Sequence, residues 1–198
     1  MRSSSNVHSI LSTRVYQIWQ SGIMNLKVDG TFISEITDED KAAYLEHFKE
    51  REIADQTLNI PFPYRPKDAD EWLLYLHDDK TERGVASNWA IRRKDGFLIG
   101  GIGLHNWDPK HPHRVEIGYW LAKPYWGKGI TTEAVKVITG YAFQDLHISR
   151  VAAQVFEFNR ASARVLEKAG YQFEGTLRKH YFKNGKFYNG SLYARLSE

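Results

Sequence analysis

The 198-residue chain contains no cysteine. That excludes disulfides, thiolate metal sites and a cysteine nucleophile, and it leaves the compartment open. A long hydrophobic run is also missing. The longest candidate, residues 97–104, is eight residues long and holds three glycines, whereas a membrane-spanning helix needs about 20 apolar residues. Residues 1–21 show no apolar core followed by a cleavage site, so they do not read as a signal peptide. A cytoplasmic protein without membrane association is the expectation. Excess charge of one sign is absent too: 27 basic residues stand against 24 acidic ones, a net charge of +3. This is too weak for nucleic acid, which wants a concentrated basic face, but it is compatible with a site for an anionic cofactor. Internal repeats and low-complexity linkers are lacking.

What remains is an ordinary globular composition, 42% hydrophobic and 26% charged, at a length that suits one domain with a real core. Aromatic content of 14% suggests a well-stocked core or an aromatic-lined cleft. Met24 opens a tidier strand pattern than Met1 does. Residues 1–23 are therefore expected to be an N-terminal extension and residues 24–198 the domain.

Leu26, Val28, Phe32 and Ile33 fit a strand pair around Asp29-Gly30. Thr37 then caps a helix start, with Asp40 at the third helical position and Tyr44, Leu45 and Phe48 at helical spacing. Pro61, Pro63 and Pro66 mark an irregular stretch. A helix is predicted over 67–79, burying Trp72, Leu73, Tyr75 and Leu76. A β region follows: strands at 88–92 and 97–104 around the Asp95-Gly96 turn, then 115–121. A helix over 130–143, a strand over 149–156 and a helix over 160–169 come next. The chain closes with a strand pair, 171–177 and 182–194, around Asn184-Gly185. Antiparallel hairpins first and alternating strands and helices later predict an α/β domain with a mixed sheet.

The segment Trp126-Gly127-Lys128-Gly129-Ile130-Thr131 follows a strand and opens a helix. The first turn of a helix has unpaired N–H groups and a positive dipole end, and glycines let a phosphate approach that backbone closely. A pyrophosphate is the natural ligand. The P-loop spacing does not fit, because here lysine precedes the second glycine. The dinucleotide pattern lacks its third glycine and later acidic residue. A turn that merely caps the helix is the competing reading of the segment alone.

With its surroundings the segment resembles the GNAT acetyltransferases, most closely their RimJ/RimL-type branch. The family signature, Gln/Arg-x-x-Gly-x-Gly/Ala after a strand, is matched by Gly129 but departs at Trp126 and Thr131. Gly118-Tyr119-Trp120-Leu121 and Tyr125-Trp126-Gly127-Lys128-Gly129 are similar to the RimJ/RimL branch. So are Asn159-Arg160-Ala161-Ser162 and the run from Val165 to Tyr171. The resemblance covers about residues 31–196. It implies a single GNAT-like domain, a mixed central sheet flanked by helices, and transfer of an acetyl group from acetyl-CoA to a primary amine.

Residue by residue, the resemblance implies that pantetheine pairs with the backbone of Trp120, Leu121 and Ala122 as an added strand would. The pyrophosphate then sits on the amides of Gly127, Lys128, Gly129, Ile130 and Thr131, with Trp126 beside them. Asn159 faces the pantetheine or simply caps its helix. Glu116 is the expected base, acting directly or through water, or else lines the cleft as a structural carboxylate. Many relatives protonate the departing thiolate with a tyrosine where this chain has Leu166. Ser162, one turn earlier, and Tyr181 are the substitutes. His105, His111 and His113 flank a loop; they are read as cleft lining or solvated, with no metal. Trp89 and Trp107 are read as core or cleft wall.

The acceptor expected by analogy is a protein or peptide N-terminal α-amine. A small-molecule amine such as a polyamine, amino acid or aminoglycoside is the alternative, and a non-catalytic acyl-CoA-binding module is the third reading. Dimers are common in the family, so the resemblance admits a homodimer. Acceptor specificity is expected in the loops 53–66 and 105–113, which carry no recognisable code.

Overall fold

The computed structural model describes residues 23–198, apart from Asp29, Val85 and Pro109. Of the expected N-terminal extension, residues 1–22 lie outside the described residues, and Ile23 already opens the first strand. The described residues form one eight-stranded sheet of order β1-β2-β3-β4-β5-β6-β8-β7. The strands are β1 (Ile23–Asn25), β2 (Thr31–Glu35), β3 (Asn88–Arg93), β4 (Leu98–His105), β5 (Arg114–Leu121), β6 (Arg150–Phe156), β7 (Gln172–Lys183) and β8 (Lys186–Leu196). All neighbours are antiparallel except β5 and β6, which run parallel. The helices are α1 (Lys41–His47), α2 (Arg51–Gln56), α3 (Pro66–Arg83), α4 (Ile130–Gln144) and α5 (Arg160–Lys168).

Strand alternation divides the side chains between two faces. On one face Ile33, Ile91, Ile99, Ile117 and Val151 pack against Ile130, Val135, Ile138 and Leu166 of α4 and α5. On the other, Ala90 and Trp120 pack against Ala43, Tyr44, Phe48, Ile53 and Trp72 from α1, α2, α3 and their connections. The start of α1 is locked down electrostatically. The backbone N–H of Thr37 donates to Asp40 Oδ2 at 2.8 Å, and the same carboxylate receives both guanidinium ends of buried Arg92 on β3, at 2.6 and 2.8 Å.

Two expectations change. The stretch after residue 50, predicted irregular from Ile53 on, contains α2, a six-residue helix. Its only buried residues are the adjacent pair Ile53 and Ala54, which cannot generate a helical period in the sequence. The next helix runs from Pro66 to Arg83 rather than 67–79, and Tyr75, expected inside, is 47% exposed.

Candidate active site

β5 and β6 touch over three residue pairs only, Arg114↔Arg150, Val115↔Val151 and Glu116↔Ala152. Beyond them β5 continues to Leu121 against β4, while β6 continues to Phe156 against β8. The strands fork, and a cleft of about 1240 Å³ opens through the middle of the sheet. Ala122 donates its N–H to Ile99 O at 2.8 Å, toward β4. The Leu121 carbonyl therefore turns to the fork, where the indole N–H of Trp126 reaches it at 2.6 Å. By the same alternation the backbone groups of Tyr119 and the Leu121 N–H face the fork, and those of Trp120 face β4. Of Trp120, Leu121 and Ala122, expected to pair with pantetheine, Leu121 turns its backbone groups to the fork, whereas those of Trp120 and the Ala122 N–H turn to β4. The Trp120 side chain belongs to the helix layer instead, with ring centroids 4.5 Å from Phe48 and 5.8 Å from Tyr44.

The glycine loop lies at the mouth of the fork. Gly127 and Gly129 hold φ values of 75° and 80°, left-handed conformations that residues with a Cβ adopt at a cost. Gly129 is the N-cap of α4. Among the described residues, no protein group accepts a hydrogen bond from the amides of Gly127, Lys128, Gly129, Ile130, Thr131 or Thr132; the first amide of α4 to find a partner is that of Glu133, bonded to Gly129 O at 3.1 Å. A Cβ built on Gly127 or Gly129 meets nothing within 4 Å, so the space in front of the amides is open. Lys128 places its ammonium over the Tyr125 ring, 5.3 Å from the centroid. Such a ring of unpaired donors at a helix N-terminus suits a phosphate or pyrophosphate.

Glu116 projects from the crotch of the fork onto the face shared with Trp120. Gln154 Nε2 donates to its Oε1 at 2.9 Å, and His105 is its cross-strand neighbour on β4. Tyr181, 9% exposed, packs on Phe156 at 4.4 Å between centroids. Burial, reinforced by the charge of Glu116, pushes the Tyr181 hydroxyl up to about 12. Glu116 is the only Asp or Glu among the residues described as lining the cleft. Above it, the β7–β8 hairpin is clamped to α2, because Lys183 Nζ donates to the carbonyls of Ala54 and Thr57.

Ser162 lies on the opposite face. Asn159 caps α5 by accepting the Ser162 N–H at 3.0 Å, while the Ser162 hydroxyl meets the Tyr119 hydroxyl at 2.8 Å. Burial holds the Tyr119 hydroxyl well above the usual tyrosine range. Asn159, Ser162 and Tyr119 all line the cleft.

Residues 31–172 match the model of the acetyltransferase (GNAT) domain. The chain belongs to the GNAT acetyltransferase family. It is 34% identical to the uncharacterized N-acetyltransferase YoaA of Bacillus subtilis, over 85% of this chain and 94% of that one. It is 30% identical to a ribosomal-protein-serine acetyltransferase of Escherichia coli, over 58% of this chain and 63% of that one. A ribosomal L7/L12 α-N-protein acetyltransferase, RimL, solved with coenzyme A, shares the fold: TM-score 0.76 at 20% identity, covering 88% of this chain and 97% of that one.

This GNAT protein is an acetyl-CoA-dependent N-acetyltransferase, and its fold is the predicted single α/β domain with a mixed sheet flanked by helices. Acetyl-CoA is its co-substrate, and the open amides from Gly127 to Thr132 fit the anionic part of that molecule. Of the predicted residues, the fork brings Glu116 and Tyr181 together on one face and Asn159 and Ser162 on the other. Sequence reasoning missed Tyr119 and Gln154 as partners. Tyr119 alternates with Glu116 and so had to point toward the α4–α5 layer, but its bond to Ser162 is a tertiary contact. Trp89 is core at 2% exposure, and Trp107 is cleft wall. His105 lines the cleft, whereas His111 is exposed and bonded to Asp108 at 2.9 Å. Among the described residues no group of three metal-ligating side chains converges, and no helix is long and apolar enough to cross a membrane.

Proposed function

We propose that this acetyltransferase modifies the N-terminal α-amine of a protein or peptide. The observation that carries the reading is Glu116, at the base of the fork, the one carboxylate among the described residues that line the cleft. A polyamine or aminoglycoside brings several ammonium groups, each costly to desolvate without a partner. One carboxylate serves one amine. The similarity to a ribosomal-protein-serine acetyltransferase of Escherichia coli supports a protein acceptor.

An α-amine has a pKa near 8, so about a tenth is neutral at pH 7, whereas a lysine near 10.4 is neutral less than about once in a thousand. Glu116 takes the proton of the bound amine, directly or through water, with Gln154 holding the carboxylate in place. The amine nitrogen bonds to the thioester carbonyl carbon and the carbon–sulfur bond breaks; the second proton, which the nitrogen sheds as the amide forms, passes through water to the departing thiolate, and coenzyme A leaves as the thiol. Ser162 donates a hydrogen bond to that sulfur from the other face. The pyrophosphate rests on the amides from Gly127 to Thr131, and the pantetheine pairs with the fork-facing edge of β5.

Thiol release from acetyl-CoA tests the reading with three acceptors: a peptide with a free N-terminus, the same peptide blocked at its N-terminus but carrying a lysine, and spermidine. Turnover of the first well above the other two is expected. Preferential turnover of spermidine or of the blocked peptide overturns it.

A further inference from the structure

One side of the cleft carries a recess that acetyl transfer itself does not use. Its floor is Trp120, and its walls include Tyr44, Ile53, Ile60 and Trp72, all of which line the cleft. The Tyr44 hydroxyl and the Trp72 indole N–H are buried beside each other, and among the described residues no third polar group bonds to either. Burial also drives the Tyr44 hydroxyl far above the ordinary tyrosine range, the mark of a dry surround. Among the described residues, none of these walls is a carboxylate or a cation. The acidic groups of α2 are already engaged: Glu52 with Lys123, and Asp55 with Arg51 at 3.5 Å.

The recess is continuous with the reaction centre. Glu116, Gly118 and Trp120 share one face of β5, and Gly118 puts no side chain between the carboxylate and the indole. The His105 ring borders this strip, since a Cβ on Gly118 would lie 3.2 Å from it. An acceptor that presents its amine to Glu116 therefore lays its next side chains along this strip toward Trp120.

We propose that the recess is a specificity site that selects acceptors with an apolar side chain, of leucine or phenylalanine size, in the first two residues after the reacting amine. The proposal rests on the α-amine reading above. A charged or strongly polar side chain entering it loses its water and finds no partner, whereas an apolar one gains by leaving water. Ile53 and Ile60 give the acceptor loop the code that its sequence did not display: apolar side chains that converge on Trp120 only once α2 folds.

The experiment uses the full chain, acetyl-CoA and a set of peptide amides that differ only in their first two residues, with spermidine as an unrelated amine. Peptides opening with leucine or phenylalanine should exceed those with serine, glutamate or lysine by about tenfold or more in kcat/KM, chiefly through KM. Ile60→Asp, a substitution at a partly exposed position, should reduce that preference and favour lysine-bearing peptides, with coenzyme A affinity and thermal melting unchanged. Equal turnover of all the peptides, or an unaltered profile in Ile60→Asp, overturns the recess while leaving the α-amine reading intact. Turnover of spermidine alone, or of no acceptor at all, overturns both.

Discussion

The two sides of the fork are made of different material. On the α4–α5 side the surface offered to a ligand is chiefly main chain, six consecutive amides at the head of α4 and the outward edge of β5, with Ser162 and Asn159 beside them. On the α1–α3 side it is side chain: Glu116, Tyr181, His105 and the aromatic cluster around Trp120. A main-chain site depends on where glycine falls relative to a helix start, and it tolerates almost any side chain elsewhere. A side-chain site depends on what several distant segments bring together. The first side can stay constant while the second changes, which suits an enzyme with a fixed acetyl donor and a variable acceptor.

The sharpest way to break this division of labour is to disable the one charged group of the side-chain half. Glu116→Gln keeps the shape and the hydrogen bond from Gln154 but cannot take a proton. At pH 7 kcat/KM should fall by about a hundredfold to a thousandfold. The deficit should shrink as pH rises past about 8, where an α-amine is mostly neutral and needs no base. A pH–rate profile of both proteins on one peptide reads this directly. A deficit that stays uniform with pH assigns Glu116 to binding or folding instead. Coenzyme A affinity should not move, because the carboxylate lies on the other side of the fork.

The reciprocal test strikes the main-chain half. Gly129→Val places a branched Cβ at φ 80° in the open space before the amides. Both the conformation and the approach of a phosphate suffer. Loss of about two charge-assisted hydrogen bonds, each contributing roughly 1.5 kcal/mol or more, corresponds to a coenzyme A Kd raised about a hundredfold by calorimetry. Unchanged affinity would remove the loop from the cofactor site. The melting temperature separates this from simple unfolding of the start of α4.

The same contrast decides what could be read from the sequence. The open amides of the loop from Trp126 to Thr131 were legible because they follow from local order: a strand, two glycines, a helix start. The hairpin at Asp95-Gly96 and the capping of α5 by Asn159 were legible for the same reason. The register that sets His105 opposite Glu116 was not, nor was the clamp of Lys183 on α2, which joins residues 126 and 129 positions apart. Short α2 shows no period of its own and is held by tertiary contacts. Nor was it legible which of Trp120, Leu121 and Ala122 turn their backbone groups toward the fork, because strand identity is visible in a sequence and hydrogen-bond phase is not.

The Ser162–Tyr119 pair straddles that boundary. Ser162 sits in a local motif, while its partner comes from β5, 43 residues earlier in the chain. A serine hydroxyl is too weak an acid to give up its proton freely, so its help to a departing thiolate is a hydrogen bond. That help depends on which way the hydroxyl points. The Tyr119 hydroxyl reaches both the Ser162 hydroxyl, at 2.8 Å, and the Ser162 carbonyl, at 3.3 Å; when its proton goes to the hydroxyl oxygen the serine proton is free for the sulfur, and without Tyr119 the hydroxyl turns at will. Ser162→Ala should therefore lower kcat by about tenfold, the value of one ordinary transition-state hydrogen bond at about 1.4 kcal/mol. Tyr119→Phe should lower it by a smaller factor, about threefold. The double variant should be no worse than Ser162→Ala alone, since Tyr119 acts only through the serine. Multiplicative losses in single-turnover kinetics would separate the two hydroxyls and make Tyr119 a packing residue of the α4–α5 layer.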